Sequence, residues 1–175
     1  MDKIKKITLI ALFVGLQACS VQFLDILFHG YLPPLGNLGF SCIAFLGWPT
    51  YFMSGCNVKG GIRSFIAFIV GIIAGIVICL LSGVFGFAGA FASVIPVFIV
   101  AWLLFYYEAG PGYCNHLAAC YISCGAFFMF MNYVPGATFL NCFITEMVYL
   151  TVGLFYGWMT ITFRQWVEKR QAAKA

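Results

Sequence analysis

Two carboxylates stand in apolar surroundings. Asp25 lies in SVQFLDILFHGYLPP, with His29 four residues on and no Lys or Arg beside it. Glu146 lies in NCFITEMVYL, five residues after Asn141. A carboxylate at the centre of a bilayer costs roughly 2.5–3.5 kcal/mol, so such groups face protein or water and often handle a proton or a cation. Ala18, Gln22, Asp25 and His29 follow i, i+4, i+7 and i+11 spacing and share one helical face. Two readings of Asp25 follow. It faces an outward-opening vestibule, or it sits at headgroup level in contact with His29. Glu146 is deeper in its span and is read as functional or buried.

The stretch GWPTYF is a third candidate. Pro49 cannot donate a backbone hydrogen bond and disturbs the turn before it. Carbonyls freed at membrane depth must be satisfied by protein or water. Trp48 and Tyr51 then either frame a solute path at this bend or anchor the helix at the interface. His116, Cys120 and Cys124 are spaced like a ladder of metal ligands. Their rise of about 12 Å is too long for one zinc with bonds of about 2.0–2.3 Å. No metal is assigned. No phosphate-binding glycine loop and no nucleophile–base pair is present, so no catalytic residue, cofactor or enzyme activity is expected.

The elements that carry these residues are membrane helices. The chain is 63% hydrophobic and 8% charged, against about a quarter charged in soluble domains. Apolar runs of bilayer-spanning length recur, and SFIAFIVGIIAGIVICLL lacks the alternation of a β-barrel strand. The first apolar run exceeds a signal-peptide core and is read as a retained helix. The fold expected is all-α: a single polytopic transmembrane domain over residues 1–175. Six helices are predicted, at about 7–29, 37–55 (interrupted at Pro49), 64–85, 88–107, 113–133 and 137–163.

The net charge of +4 comes from cations in three clusters: Lys3, Lys5 and Lys6; Lys59 and Arg63; Arg164, Lys169, Arg170 and Lys174. Six spans put all of them on one side. That fits the positive-inside bias, with both termini cytoplasmic, and not a nucleic-acid surface. The eight cysteines lie mostly in apolar runs, where they act as small hydrophobes. Gly71 and Gly75 form a G-x-x-x-G pair suited to close helix packing. Helices 5 and 6 both open on Pro-Gly with an early Asn, at Asn115 and Asn141. This pattern admits a three-plus-three organisation.

Over AFLGWPTYFMSGCNVKGGIRSF the chain resembles a family of small bacterial inner-membrane proteins typified by YcdZ. The shared features are Tyr51-Phe52, Gly60-Gly61 and Arg63, with VPGATFLNCF and VGLFYGWM as later parts of the pattern. The resemblance implies a bacterial cytoplasmic membrane and supplies no active site. The function expected is a small-solute channel or transporter favouring neutral or cationic solutes. It would be embedded in the lipid bilayer and assembled as a homo-oligomer. The alternative is a non-transporting accessory or structural protein packed against a partner.

Overall fold

The structure is a computed structural model that describes residues 3–173. The side chains of Lys3, Lys5 and Lys6, and Lys174, lie outside the described residues. Six α-helices carry the fold: α1 (Lys3–Phe28), α2 (Ser41–Met53), α3 (Val58–Val84), α4 (Val94–Phe105), α5 (Leu117–Tyr133) and α6 (Phe139–Ala172). Short 3-10 turns cover Gly86–Phe91 and Tyr106–Ala109. The segments Ile7–Phe28, Val58–Val84 and Phe139–Ala172 are long and apolar enough to cross a bilayer, and Val94–Ala109 and Leu117–Tyr133 are shorter apolar helices. The chain is an all-helical, polytopic membrane protein.

Several boundaries differ from those expected, for local reasons. α3 begins at Val58 rather than near residue 64, because Asn57 caps it by accepting from the Gly60 N–H at 2.8 Å. Lys59 and Arg63 are therefore helical, not in a loop. The expected helix 4 is broken at Gly89, whose φ of 57° leaves the helical region. Pro96 sits in the first turn of α4, where its missing N–H costs nothing. α6 runs to Ala172, with Arg164 and Glu168 paired at 3.3 Å one turn apart. α2 is one helix through Pro49 rather than two. Only the Phe45 carbonyl loses its usual i+4 donor, and the proline ring lies on the exposed side of the helix.

The packing reveals how the chain is organised. α2 runs parallel to α6 and close against it. A Cβ on Gly153 would lie 2.2 Å from the Ala44 carbonyl, and one on Gly47 would lie 2.4 Å from that of Leu150. α3 runs parallel to α5 in the same way, where a Cβ on Gly71 would meet the Cys120 carbonyl at 2.1 Å and one on Gly75 the Phe127 ring at 2.4 Å. α1 lies antiparallel to α6, with Phe13 stacked on Phe163 and Asp25 bonded to Tyr149. α4 lies against α3, and α3 meets α6.

These contacts map onto themselves when α1–α2–α3 is exchanged with α4–α5–α6. Each half has a helix, an irregular segment (29–40 or 106–116), a short helix, a tight turn and a long helix. Each long helix is capped by a side chain, Asn57 in α3 and Thr138 in α6. Seven residues past each cap stands a buried hydroxyl, Ser64 or Thr145, bonded to the irregular segment of the other half, at His116 and at the Pro33 carbonyl. Because α2 runs with α6 and α5 turns back against it, the two halves are inverted.

The core sits where the halves meet, around Phe68, Ile72, Phe127, Tyr149 and Leu150. The described cations fall at one end: Lys59 and Arg63 start α3, beside the last turns of α6 that carry Arg164, Lys169 and Arg170. Asp25 and Glu146 lie toward the opposite end.

Candidate functional site

Asp25 is 3% exposed although it sits near the end of a membrane helix. Its Oδ2 accepts the Gly39 N–H at 2.7 Å, and its Oδ1 accepts the Tyr149 hydroxyl at 2.6 Å. Gly39 has a φ of 100°. That left-handed turn, open to glycine at no steric cost, belongs to the segment whose N–H meets the carboxylate. Asp25 thus joins α1, the irregular segment before α2, and α6. His29 turns away to the Ile26 carbonyl and is exposed. The buried face of α1 is Gln17, Val21 and Asp25, so Gln22 lies outside it, though it still accepts from Ser41 at 3.1 Å.

Glu146 lies on another face of α6 and is fully buried. Its Oε2 accepts from Cys142 Sγ at 3.4 Å, while Oε1 has no hydrogen-bond partner. Cys124 of α5 and Cys142 of α6 both lie within electrostatic reach of Glu146 and of Cys79 on α3. The carboxyl therefore stands where α6 and α5 of one half meet α3 of the other. The two acids have separate partners. Asn141, one turn before Glu146, directs its amide back to the Gly136 carbonyl at 3.5 Å.

Around Pro49 of α2, Trp48 and Tyr51 are buried against α6 and the proline faces outward. Trp48 Nε1 donates to Thr160 at 3.0 Å, and Thr160 donates to Gln17 Oε1 at 2.8 Å. Ser20 and the Tyr156 hydroxyl complete the link from α1 to α6 at 2.7 Å. An apolar groove of about 270 Å³ opens beside this network, lined by Val14, Ala18, Phe45, Trp48, Pro49 and Phe52. At the basic end, His116 Nδ1 is 2.9 Å from Ser64 Oγ. Burial, and then the nearby Arg63 guanidinium, hold this imidazole below its usual range. All eight cysteines are free, and Cys120 and Cys124 are packed in the core. Among the described residues, no group of three His, Cys, Asp or Glu side chains is placed to hold a metal ion.

Residues 11–165 match the family described as protein of unknown function, DUF1097. The chain belongs to DUF1097. The DUF1097 match runs from within α1 to within α6 and so includes Asp25, Trp48 to Tyr51 of α2, the Gly71–Gly75 seam and Glu146. No curated protein and no solved structure shows a significant match to the chain.

Three features of this DUF1097 chain escaped the sequence reading. Gly153 and Gly157 have the same spacing as Gly71 and Gly75, which is a readable signal, but the residues they meet on α2, Ala44 and Gly47 for Gly153 and Trp48 and Tyr51 for Gly157, are not. Gln17 was legible only as a polar residue in a membrane run. Tyr149 carries no mark of its role, because a tyrosine in an apolar stretch looks like any other aromatic.

Proposed function

We propose that the protein moves a small neutral or cationic solute across a membrane, with Glu146 as the carboxyl that meets it. The observation that carries this reading is the free Oε1 of a fully buried Glu146 at the junction of the two inverted halves. An ionisable residue inside a membrane protein marks a solute or ion pathway by default. In inverted-repeat transporters the binding site lies where the repeats meet. A carboxyl with one unengaged oxygen can accept from an ammonium or a hydroxyl, or hold a proton. Asp25, with both oxygens bonded, would fix the outer end of the path by holding α1 and the 29–40 segment. Trp48, Pro49 and Tyr51 would set the packing of α2 beside it.

The same proposal includes the finer likeness to YcdZ-type proteins, a bacterial cytoplasmic membrane, cytoplasmic termini and a homo-oligomeric assembly. Purified protein in liposomes, loaded with a panel of neutral and monovalent cationic solutes, tests it. Flux of at least one solute is expected, with Glu146→Gln lowering it by tenfold or more or removing its dependence on external pH. Flux that is the same in Glu146→Gln and Asp25→Asn would leave the carboxylates as structural residues. Absence of flux in the unaltered protein would favour the accessory, non-transporting reading.

A further inference from the structure

The basic end holds a second polar constellation that the solute reading does not use. Arg63 Nε is buried and without a hydrogen-bond partner. Among the described residues, no carboxylate forms an ion pair with its guanidinium. The Tyr107 hydroxyl is also buried and unpaired. It lies near Cys114 but forms no hydrogen bond of ordinary geometry. Asn115 Oδ1 is a third buried atom without a partner.

These groups gather where the start of α3 meets the 106–116 segment. Arg63 is within electrostatic reach of both Tyr107 and His116. His116 is tied to Ser64, the residue after Arg63, and Asn115 precedes it. Lys59 adds a second positive charge nearby, its Nζ 5.9 Å from the Tyr113 ring. The one carboxylate on this segment, Glu108, is exposed.

The chemistry is that of an oxyanion receptor. A guanidinium presents a planar fork matched to phosphate oxygens, and a buried phenol supplies one more donor. The Asn115 amide offers its oxygen to a phosphate or glycerol hydroxyl or, turned about its last bond, its nitrogen to an oxyanion. α5 starts here with no side-chain cap on its N-terminus, so its free N–H groups and dipole add to the field.

We propose that Arg63, Tyr107 and Asn115 form a binding site for a phosphate-type oxyanion, carried either by a free anion or by the headgroup of an anionic lipid. The site does not rest on the role assigned to Glu146.

The test uses the full chain in neutral detergent micelles and follows its thermal unfolding midpoint. One arm titrates sodium phosphate at ionic strength held constant with sodium chloride. The other adds phosphatidylglycerol to the micelles. A rise in the midpoint is expected in at least one arm. Arg63→Gln should weaken the apparent affinity about tenfold or more, the scale of a lost hydrogen bond to a charged group, and Tyr107→Phe by a few-fold. Arg164→Gln, a surface cation outside the site, should leave it unchanged.

A response to phosphate identifies a free anion as a sufficient ligand. A response to phosphatidylglycerol alone identifies the lipid headgroup, and either supports the site. If Arg63→Gln does not fold, Tyr107→Phe carries the comparison, since it removes one oxygen and little else. No rise in either arm, or an equal rise in the unaltered protein and Tyr107→Phe, would overturn the site. So would a loss in Arg164→Gln as large as that in the site variants.

Discussion

At the residue scale, Asp25 shows what an acid can do in a membrane helix when its oxygens tie neighbouring elements together. Both oxygens are engaged, one by the Gly39 N–H at the end of the irregular 29–40 segment. Tyr149→Phe should therefore destabilise the protein by about 1.5–3 kcal/mol, the worth of a hydrogen bond to a charged group, read from chemical unfolding in detergent. His116 gives a pH signature. Its proton is disfavoured in the folded state, so the unfolded chain binds more protons once pH drops below about 6.5. Stability should fall as pH is lowered from about 7 toward 5, and His116→Gln should flatten that part of the profile. The chain made the two acids legible as singular residues, because nothing else charged lies in the apolar runs around them. It did not reveal their partners. Helical spacing compares residues a few positions apart, whereas Tyr149 is 124 residues from Asp25.

At the scale of elements, two glycine seams set how close the helices come. Gly153→Ala and Gly71→Ala each push a methyl into a backbone carbonyl that cannot move aside. Each should cost about 1–3 kcal/mol, as overpacking does. Gly125 and Gly83 have open space where a Cβ would go. Gly125→Ala, in the interior of α5, should be neutral or stabilise by roughly 0.5–1 kcal/mol through helix propensity. Melting temperatures of the variants in one detergent decide between these outcomes. Helix positions were legible from hydropathy because each apolar run must be buried or face lipid. The ends were not, since caps such as Asn57 and breaks such as Gly89 act through single residues. The bend at Pro49 misled for a related reason. A proline removes one hydrogen bond, and α2 keeps its course because Trp48, Thr50 and Tyr51 are fixed against the neighbouring helices.

At the scale of the whole molecule, the inverted halves and the one-sided cations make a joint prediction. Reporter fusions after residue 175 and within the turn at 54–57 should report the same, cytoplasmic side. A fusion within 134–138 should report the other. Opposite sides for the first two would break the six-helix topology. That the described cations gather at one end was readable from their positions in the chain. The pattern admitted a three-plus-three organisation, but the repeat could not be traced residue by residue, because the halves share almost no residues. What they share is a cap, a hydroxyl seven places on and a close seam, and these become visible only when the partners are seen.

The tie between α1 and α6 also bears on how the protein is made. α1 is synthesised first, yet the hydrogen-bond partners of Gln17, Ser20 and Asp25 include groups on α6, the last helix. At about 5–20 residues per second, the ribosome needs roughly 6–25 s to travel from Asp25 to Tyr149. Through that interval the aspartate has no Tyr149 to meet, and α2 likewise lacks the helix it packs on. A nascent chain arrested before residue 149 would hold an unclosed first half in the bilayer, the form that a membrane insertase or a quality-control protease would encounter.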